Sequence, residues 1–379
     1  EHCKGMKEDI WILSNISKKM YGDSTRPFFL GIYLNKDFRV TQYCNVSMKH
    51  EITYYNFFEK TAFSTPLSIL KASKKIVNEI TKKGLPKVIY AHQLLYGLIG
   101  VLLKRKFPKI ILISDFHTSS FFELKEERKK GLKQRVKMFL IPKLENLVIK
   151  YSDEIVTVSN ETKALLKHDY PLVDGKIHII KNATDTNVVY KLPSKKTVKI
   201  KEKFLAVFPN PRDGFISNIL ALEFLFQIAI KIERINPRIQ FVVLGGGKIP
   251  ANTPINVLFT GYVENYNEWL NKADICIATY PSNAVCGGVR NKICDYLAVG
   301  KPIVATKESM RGFDDLVDGV HYYERNTVDA FINQINAIYN DPNTHLNLIE
   351  KENLRKALDY SWENRANELS ILFKKIIDV

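Results

Sequence analysis

Short runs of β-branched and aliphatic residues alternate along the chain with longer stretches in which apolar side chains recur at every third or fourth position. That alternation is the pattern of βαβ units, in which helices cover both faces of a parallel sheet. In the first half, the runs at 10–13, 88–90, 110–114 and 155–158 read as buried strands bounded by polar or turn residues. The pattern restarts with strands expected at 204–208, 241–244, 256–260, 275–278 and 302–306, and helices at 217–234 and from about 289. Between the two series, residues 191–203 carry six Lys, one Glu and one Pro, with little to bury, which reads as a connection. The expected fold is α/β: two doubly wound domains at 1–190 and 204–358, a basic connection at 191–203, and a final segment at 359–379. In such sheets ligands bind beyond the carboxyl ends of the strands, where the strand order reverses.

Composition supports a folded chain. With 379 residues, 45% of them hydrophobic, 18 Gly and 15 Pro, the sequence is neither low-complexity nor fibrous and is long enough for two cores. The first nine residues are rich in charge and no apolar signal region follows, and the apolar run at 91–103 is too short to cross a bilayer as a helix. The reading is of a cytoplasmic protein, soluble or peripheral on the cytoplasmic membrane face. Five cysteines without a Cys-x-x-Cys pair read as reduced thiols. The lopsided feature is charge: 56 Lys and Arg against 40 Asp and Glu give a formal +16.

The stretch 281–306, PSNAVCGGVRNKICDYLAVGKPIVAT, carries the densest chemistry. Gly287 and Gly288 follow a strand and its loop, and Val289, Ile293 and Leu297 recur at helical spacing. Glycines at a helix start let backbone N–H groups approach an anion, which the helix dipole also favours. Arg290 and Lys292 fall in that first turn, where the dipole disfavours cations unless an anionic ligand offsets it. The competing reading is a solvated turn with two surface cations.

Residues 288–306, with Asp295, Gly300, Lys301 and Pro302, resemble the donor-binding element of the retaining glycosyltransferases of the GT-B fold, family 4 type. Further pieces resemble that family in its own order: SDFHTSS at 114–120, IVTVSNETKALL at 155–166, HIIKNATDTNVV at 178–189, FVVLGGG at 241–247, the run from Asn256 to Ser282, and YSWENRANELSILF at 360–373. The resemblance implies two Rossmann-like domains facing across a cleft, with a C-terminal helix returning to the first. It implies transfer of a sugar from a nucleotide-diphosphate sugar of UDP or GDP type, with retention of anomeric configuration. No bound cofactor is implied, only the nucleotide sugar as co-substrate. It assigns His117 to the donor sugar and reacting centre, with Thr118 and Ser119 beside it, and the carboxylate at Asp295 to the ribose hydroxyls.

Two departures stand out. Gly287 occupies the place of the family's first Glu, and Asp295 replaces the second with a side chain one methylene shorter. The family's Arg and Lys at the first strand of the second domain have no clear match here, and Arg212 is the one nearby candidate. Breaking the sugar–phosphate bond puts negative charge on the leaving oxygen, so fixed cations there act as charge develops. Arg290, whose planar fork can grip two phosphate oxygens, is the first choice, with Lys292 and Arg212 behind it. Gly245, Gly246, Tyr262 and Val263 follow strands and are expected at the nucleotide-base edge. The family mechanism uses no protein nucleophile, and the lack of an Asp-x-Asp triplet agrees with a metal-independent site. His92 is a lesser candidate, Asp115 reads as fixing a turn, and His168, His178 and His321 read as structural.

Residues 123–150 contain nine Lys or Arg against four Glu, interleaved with Leu124, Leu132, Val136, Met138, Phe139 and Leu140. Such a basic amphipathic segment suits an anionic membrane surface, and Tyr54, Tyr55, Phe57, Phe58 and Phe63 would add anchors. A solvated helix face is the competing reading. A membrane surface would fit a lipid-linked acceptor or other glycan. Two alternatives stay open: a soluble enzyme of the same fold acting on a sugar phosphate or epimerising a nucleotide sugar, and a nucleic-acid binding protein. Against the last, the basic residues are mostly Lys, spread out and without a recognisable base-reading motif.

Overall fold

The structure, a computed structural model, describes residues 7–16, 25–44, 52–56, 66–126, 131–193, 203–210, 215–285 and 288–378. The chain divides into two compact units, Glu1–Asn182 with Trp362–Val379, and Ala183–Ser361.

The first unit runs β1 (Asp9–Leu13), α1 (Thr25–Leu34), β2 (Arg39–Cys44), β3 (Thr53–Asn56), α2 (Pro66–Lys83), β4 (Val88–His92), α3 (Gln93–Lys106), β5 (Ile111–Phe116), α4 (Ser120–Glu126), α5 (Leu132–Tyr151), β6 (Glu154–Thr157), α6 (Asn160–Asp169) and β7 (Ile177–Ile179). Its seven strands form one parallel sheet in the order β3-β2-β1-β4-β5-β6-β7, reversing between β1 and β4. Strands β1, β4, β5 and β6 appear where uninterrupted apolar runs predict them, because a strand covered on both faces has no solvent-facing position to mark it as polar. The runs miss β2, β3 and β7: the first two carry Arg39, Thr41, Gln42, Thr53 and Asn56, and the third has three residues. Helix α3 lies close on the sheet because Gly100 has no side chain there; a Cβ at that position would meet Leu112 Cδ1 at 2.5 Å.

The second unit runs β8 (Phe204–Pro209), α7 (Ile216–Ile235), β9 (Ile239–Leu244), β10 (Val257–Gly261), α8 (Tyr266–Lys272), β11 (Ile275–Ala278), α9 (Lys292–Val299), β12 (Ile303–Ala305), β13 (Tyr323–Glu324), α10 (Val328–Asn340) and α11 (Pro342–Asp359). Its six-stranded parallel sheet has the order β10-β9-β8-β11-β12-β13, reversing between β8 and β11. Helix α9 ends at Gly300, whose φ of 66° is the left-handed conformation that closes a helix and that glycine adopts freely. The helix expected from about Val289 begins at Lys292, so Gly288, Val289 and Arg290 form its approach and only Lys292 lies in its first turn. Val289 instead packs on the core, and the segment turns through Arg290–Asn291 before helical bonding begins.

The last helix, α12 (Trp362–Ile377), belongs to the first unit. Trp362 stacks on Phe29, with ring centres 6.4 Å apart, and Phe373 meets Phe38 and Tyr90 at 5.9 and 5.5 Å. Cys44, Cys276 and Cys294 are free thiols and buried. Among the described residues, no helix is long and apolar enough to cross a membrane.

Candidate active site

Each unit gathers ionisable and aromatic side chains at the carboxyl ends of its central strands. In the first, β4 and β5 run side by side so that His92 pairs with Asp115. Arg26 Nε donates to Asp115 Oδ2 at 2.8 Å, and the Tyr90 hydroxyl donates to the same oxygen. The guanidinium also donates through Nη1 to the Asn182 side-chain oxygen at 3.1 Å and the Lys181 carbonyl at 3.2 Å. Burial alone would raise the Asp115 carboxyl, but Arg26, the two histidines and Tyr90 together hold it below the ordinary value. Burial pushes the Tyr90 phenol far up and the His92 imidazole well below its usual range, so His92 is neutral.

His117, one residue past β5, completes the cluster. Its Nε2 lies 3.1 Å from His92 Nδ1, and its Nδ1 lies 3.3 Å from the Gln93 amide nitrogen. Ser119 Oγ accepts from the Phe122 N–H at 3.2 Å, and the buried Glu145 carboxylate reaches back from α5 to the Ser119 hydroxyl and the Ser120 N–H, at 3.0 and 2.5 Å. One donor atom each from His92, Asp115 and His117 lies within 4.8 Å of the others, a spacing a metal ion could use. Arg26 already supplies a cation against Asp115, and a divalent ion there would add charge beside a buried guanidinium.

In the second unit the chain leaves β11 into Tyr280, which is buried, and Tyr280 organises both predicted cations. Lys292 donates to its hydroxyl at 2.6 Å and also to the Pro209 carbonyl at the end of β8. Since β8 and β11 are the strands between which the order reverses, Lys292 bridges the switch point of this sheet. The Arg290 guanidinium lies 3.7 Å over the Tyr280 ring and donates through Nη2 to the Ala284 carbonyl at 2.8 Å. The Tyr280 hydroxyl in turn donates to Asn218 Oδ1 at 2.9 Å. One helical turn beyond Lys292, Asp295 accepts from the Thr184 hydroxyl at 2.6 Å and the Tyr266 hydroxyl at 3.0 Å. Burial pushes its carboxyl up to about 6, against the opposing pull of those hydroxyls and of Lys292.

The family profile described as "Glycosyltransferase Family 4" matches residues 45–188, and that described as "Glycosyl transferases group 1" matches residues 214–341. The chain carries a glycosyltransferase family 4 domain followed by a glycosyl transferases group 1 domain. Solved structures share the GT-B architecture at low identity. A sucrose-phosphate synthase from Thermosynechococcus elongatus has a TM-score of 0.77 at 13% identity, over 98% of this chain and 100% of that one. A glycosyltransferase from Rickettsia africae gives 0.73 at 14%, over 98% and 99%. The Anabaena HepE protein in complex with UDP-glucose gives 0.72 at 14%, over 97% and 99%. No curated protein matches the chain in sequence.

For a glycosyltransferase of this type, the expected site residues fall into three groups. Arg290, Lys292 and Asp295 are brought together around the start of α9. Gly245, Gly246, Tyr262 and Val263 follow directly on β9 and β10: the Gly245 N–H donates to the Gly261 carbonyl at 2.9 Å, Tyr262 is exposed, and Val263 packs on the core. His117 stands in the other unit with His92 and Asp115. Arg212 and Gly287 lie outside the described residues, as do Phe57, Phe58 and Phe63. Asp115 does more than fix a turn, since its carboxylate is the anionic centre of the histidine cluster. Arg26, Gln93 and Tyr280 carry no pattern signal: a buried Arg resembles a surface one in sequence, and Tyr280 resembles any aromatic after a strand.

Proposed function

We propose that this glycosyltransferase moves a sugar from a nucleotide-diphosphate sugar of UDP or GDP type to an acceptor, with retention of anomeric configuration and without a metal ion. The observation that carries the reading is the pair Arg290 and Lys292, both seated on Tyr280 at the switch point of the second sheet. Two cations held by an aromatic ring and a backbone carbonyl need little reorganisation when charge develops on a leaving diphosphate. Asp295, close behind them, is assigned to the ribose hydroxyls. The similarity to a HepE structure solved with UDP-glucose supports a nucleotide sugar as partner. His117 is assigned to the donor sugar and the reacting centre, and the departing phosphate to taking the acceptor's proton. Thermal shift against a panel of UDP, GDP and ADP sugars tests the reading. At least one is expected to raise the melting temperature, and Arg290→Ala to abolish that rise. No response to any of them, with transfer unaffected by Arg290→Ala, overturns it.

The acceptor is proposed to be lipid-linked and presented at an anionic membrane surface on the cytoplasmic side. In the first half of α5, Leu132, Val136, Phe139 and Leu140 recur at i, i+4, i+7 and i+8, and all four are exposed, Leu132 by 79% and Phe139 by 62%. Lys133, Arg135, Lys137 and Lys143 flank that stripe, while Glu145, Val148 and Ile149 face the core from the other side of the helix. An exposed apolar stripe rimmed by cations is the arrangement of a helix lying in a lipid interface.

A further inference from the structure

We propose that Gln93 is a positioning residue that fixes His117 in the tautomer with its proton on Nε2. Three observations carry this. Gln93 has a φ of 63°, and among the described residues no other non-glycine has positive φ. An L-residue adopts that conformation against steric resistance, and such outliers persist where the surroundings over-determine them, often at functional sites. The outlier falls at the junction of β4 and α3, immediately after His92, and the side chain it projects puts an amide nitrogen 3.3 Å from His117 Nδ1.

The second observation is where Asp115 points. A carboxylate commonly orients a histidine by accepting its N–H. Here the Asp115 oxygens lie 3.6 Å from His92 Nδ1 and 3.9 Å from His117 Nε2, beyond hydrogen-bond reach, and Oδ2 is taken by Arg26 and Tyr90. The partner of His117 Nδ1 is an amide N–H, which only donates, so Nδ1 accepts and the single ring proton sits on Nε2. The third is the receiver of that proton. His92 Nδ1 is 3.1 Å from His117 Nε2, so a proton on His117 Nε2 points at the His92 Nδ1 lone pair and places the His92 proton on its own Nε2. Held at both nitrogens, the ring cannot rotate, and His117 offers a fixed N–H dipole.

The inference rests on the proposed role of His117 at the donor sugar, but its central measurement does not. Nitrogen shifts of the full chain labelled with ¹⁵N-histidine are expected to give His117 as the Nε2–H tautomer. Gln93→Gly relieves the backbone and removes the amide, so the variant is expected to melt no lower than the parent. Its His117 shifts are expected to move to a tautomer mixture, and kcat with the best donor of the panel above to fall roughly tenfold, with KM nearly unchanged. A merely structural role predicts the opposite pairing, stability changed and kcat kept. Gln93→Glu, whose carboxylate accepts, is expected to move the proton to Nδ1. A parent protein with the proton on Nδ1, or Gln93→Gly with tautomer and kcat both unchanged, overturns the inference. Full activity in His117→Ala overturns the role at the donor sugar while the tautomer result stands.

Discussion

Lys292 and Tyr280 meet at 2.6 Å, ammonium to phenol, where the first residue of α9 crosses the switch point of the second sheet. The same ring carries the Arg290 guanidinium at 3.7 Å. One buried aromatic thus holds two cations by separable means, its hydroxyl for one and its face for the other. Tyr280→Phe keeps the face and removes the hydroxyl. Isothermal titration with UDP and GDP is expected to give about tenfold weaker binding, the scale of one lost hydrogen bond to a charged group. Tyr280→Leu, which removes both supports, is expected to bind more weakly still. Equal affinities in all three proteins would dissociate Tyr280 from the anion site.

Arg26 and Asp115 form an ion pair that is almost wholly removed from solvent, at 1% and 0% exposure. Truncating one partner strands the other charge in a low-dielectric interior. Arg26→Met is therefore expected to lower unfolding stability by about 3–5 kcal/mol in urea titration. The double variant with Asp115→Asn is expected to recover part of that loss, because neither charge then remains. A single variant as stable as the parent would mean that the pair is open to water.

Asp295 makes stability depend on pH with a definite sign. Burial pushes its carboxyl up to about 6 from the ordinary 3.8, so the folded state holds the proton more tightly. The contribution of this group to stability falls as pH rises between those two values and is constant above them. In Asp295→Asn that slope is expected to vanish, and the melting temperature of the variant relative to the parent to climb from pH 4 to pH 6. Nucleotide affinity of the parent is expected to improve over the same window as the carboxylate forms. Parallel melting curves for the two proteins across the window would refute the raised value.

The stripe on α5 predicts co-sedimentation with vesicles containing phosphatidylglycerol and none with neutral vesicles. Each Lys or Arg at an anionic surface contributes about 1 kcal/mol at low salt, so charge reversal at Lys133 and Lys137 is expected to release the protein. Phe139→Asp is expected to do so without removing a cation. Pelleting that is indifferent to lipid charge and to both changes would leave the stripe as a solvated helix face.

Much of the architecture was legible along the chain. The strand at Ile275–Ala278 falls where its apolar run predicts it, and β1, β4, β5, β6 and β8 lie within a residue or two of theirs. A buried parallel strand is a local property, written in consecutive residues. The start of α9 was less legible, because Gly288 and Val289 suit a helix start by composition while the packing of Val289 and Arg290 delays it to Lys292.

The sequence by itself determined the two α/β series, the family resemblance, and the cations Arg290 and Lys292 with Asp295 close after them. Tertiary structure alone decided their surroundings: Tyr280 under both cations, Thr184 on Asp295 from 111 positions away, and Arg26 on Asp115 from 89 away. Periodicity reports which side of an element faces the core. It says nothing about which distant side chain meets a given one there, and for charges and hydrogen bonds that partner sets protonation and geometry. Gln93 is the sharpest case, an unremarkable residue in sequence whose left-handed backbone and contact with His117 exist only once β4 and β5 lie side by side.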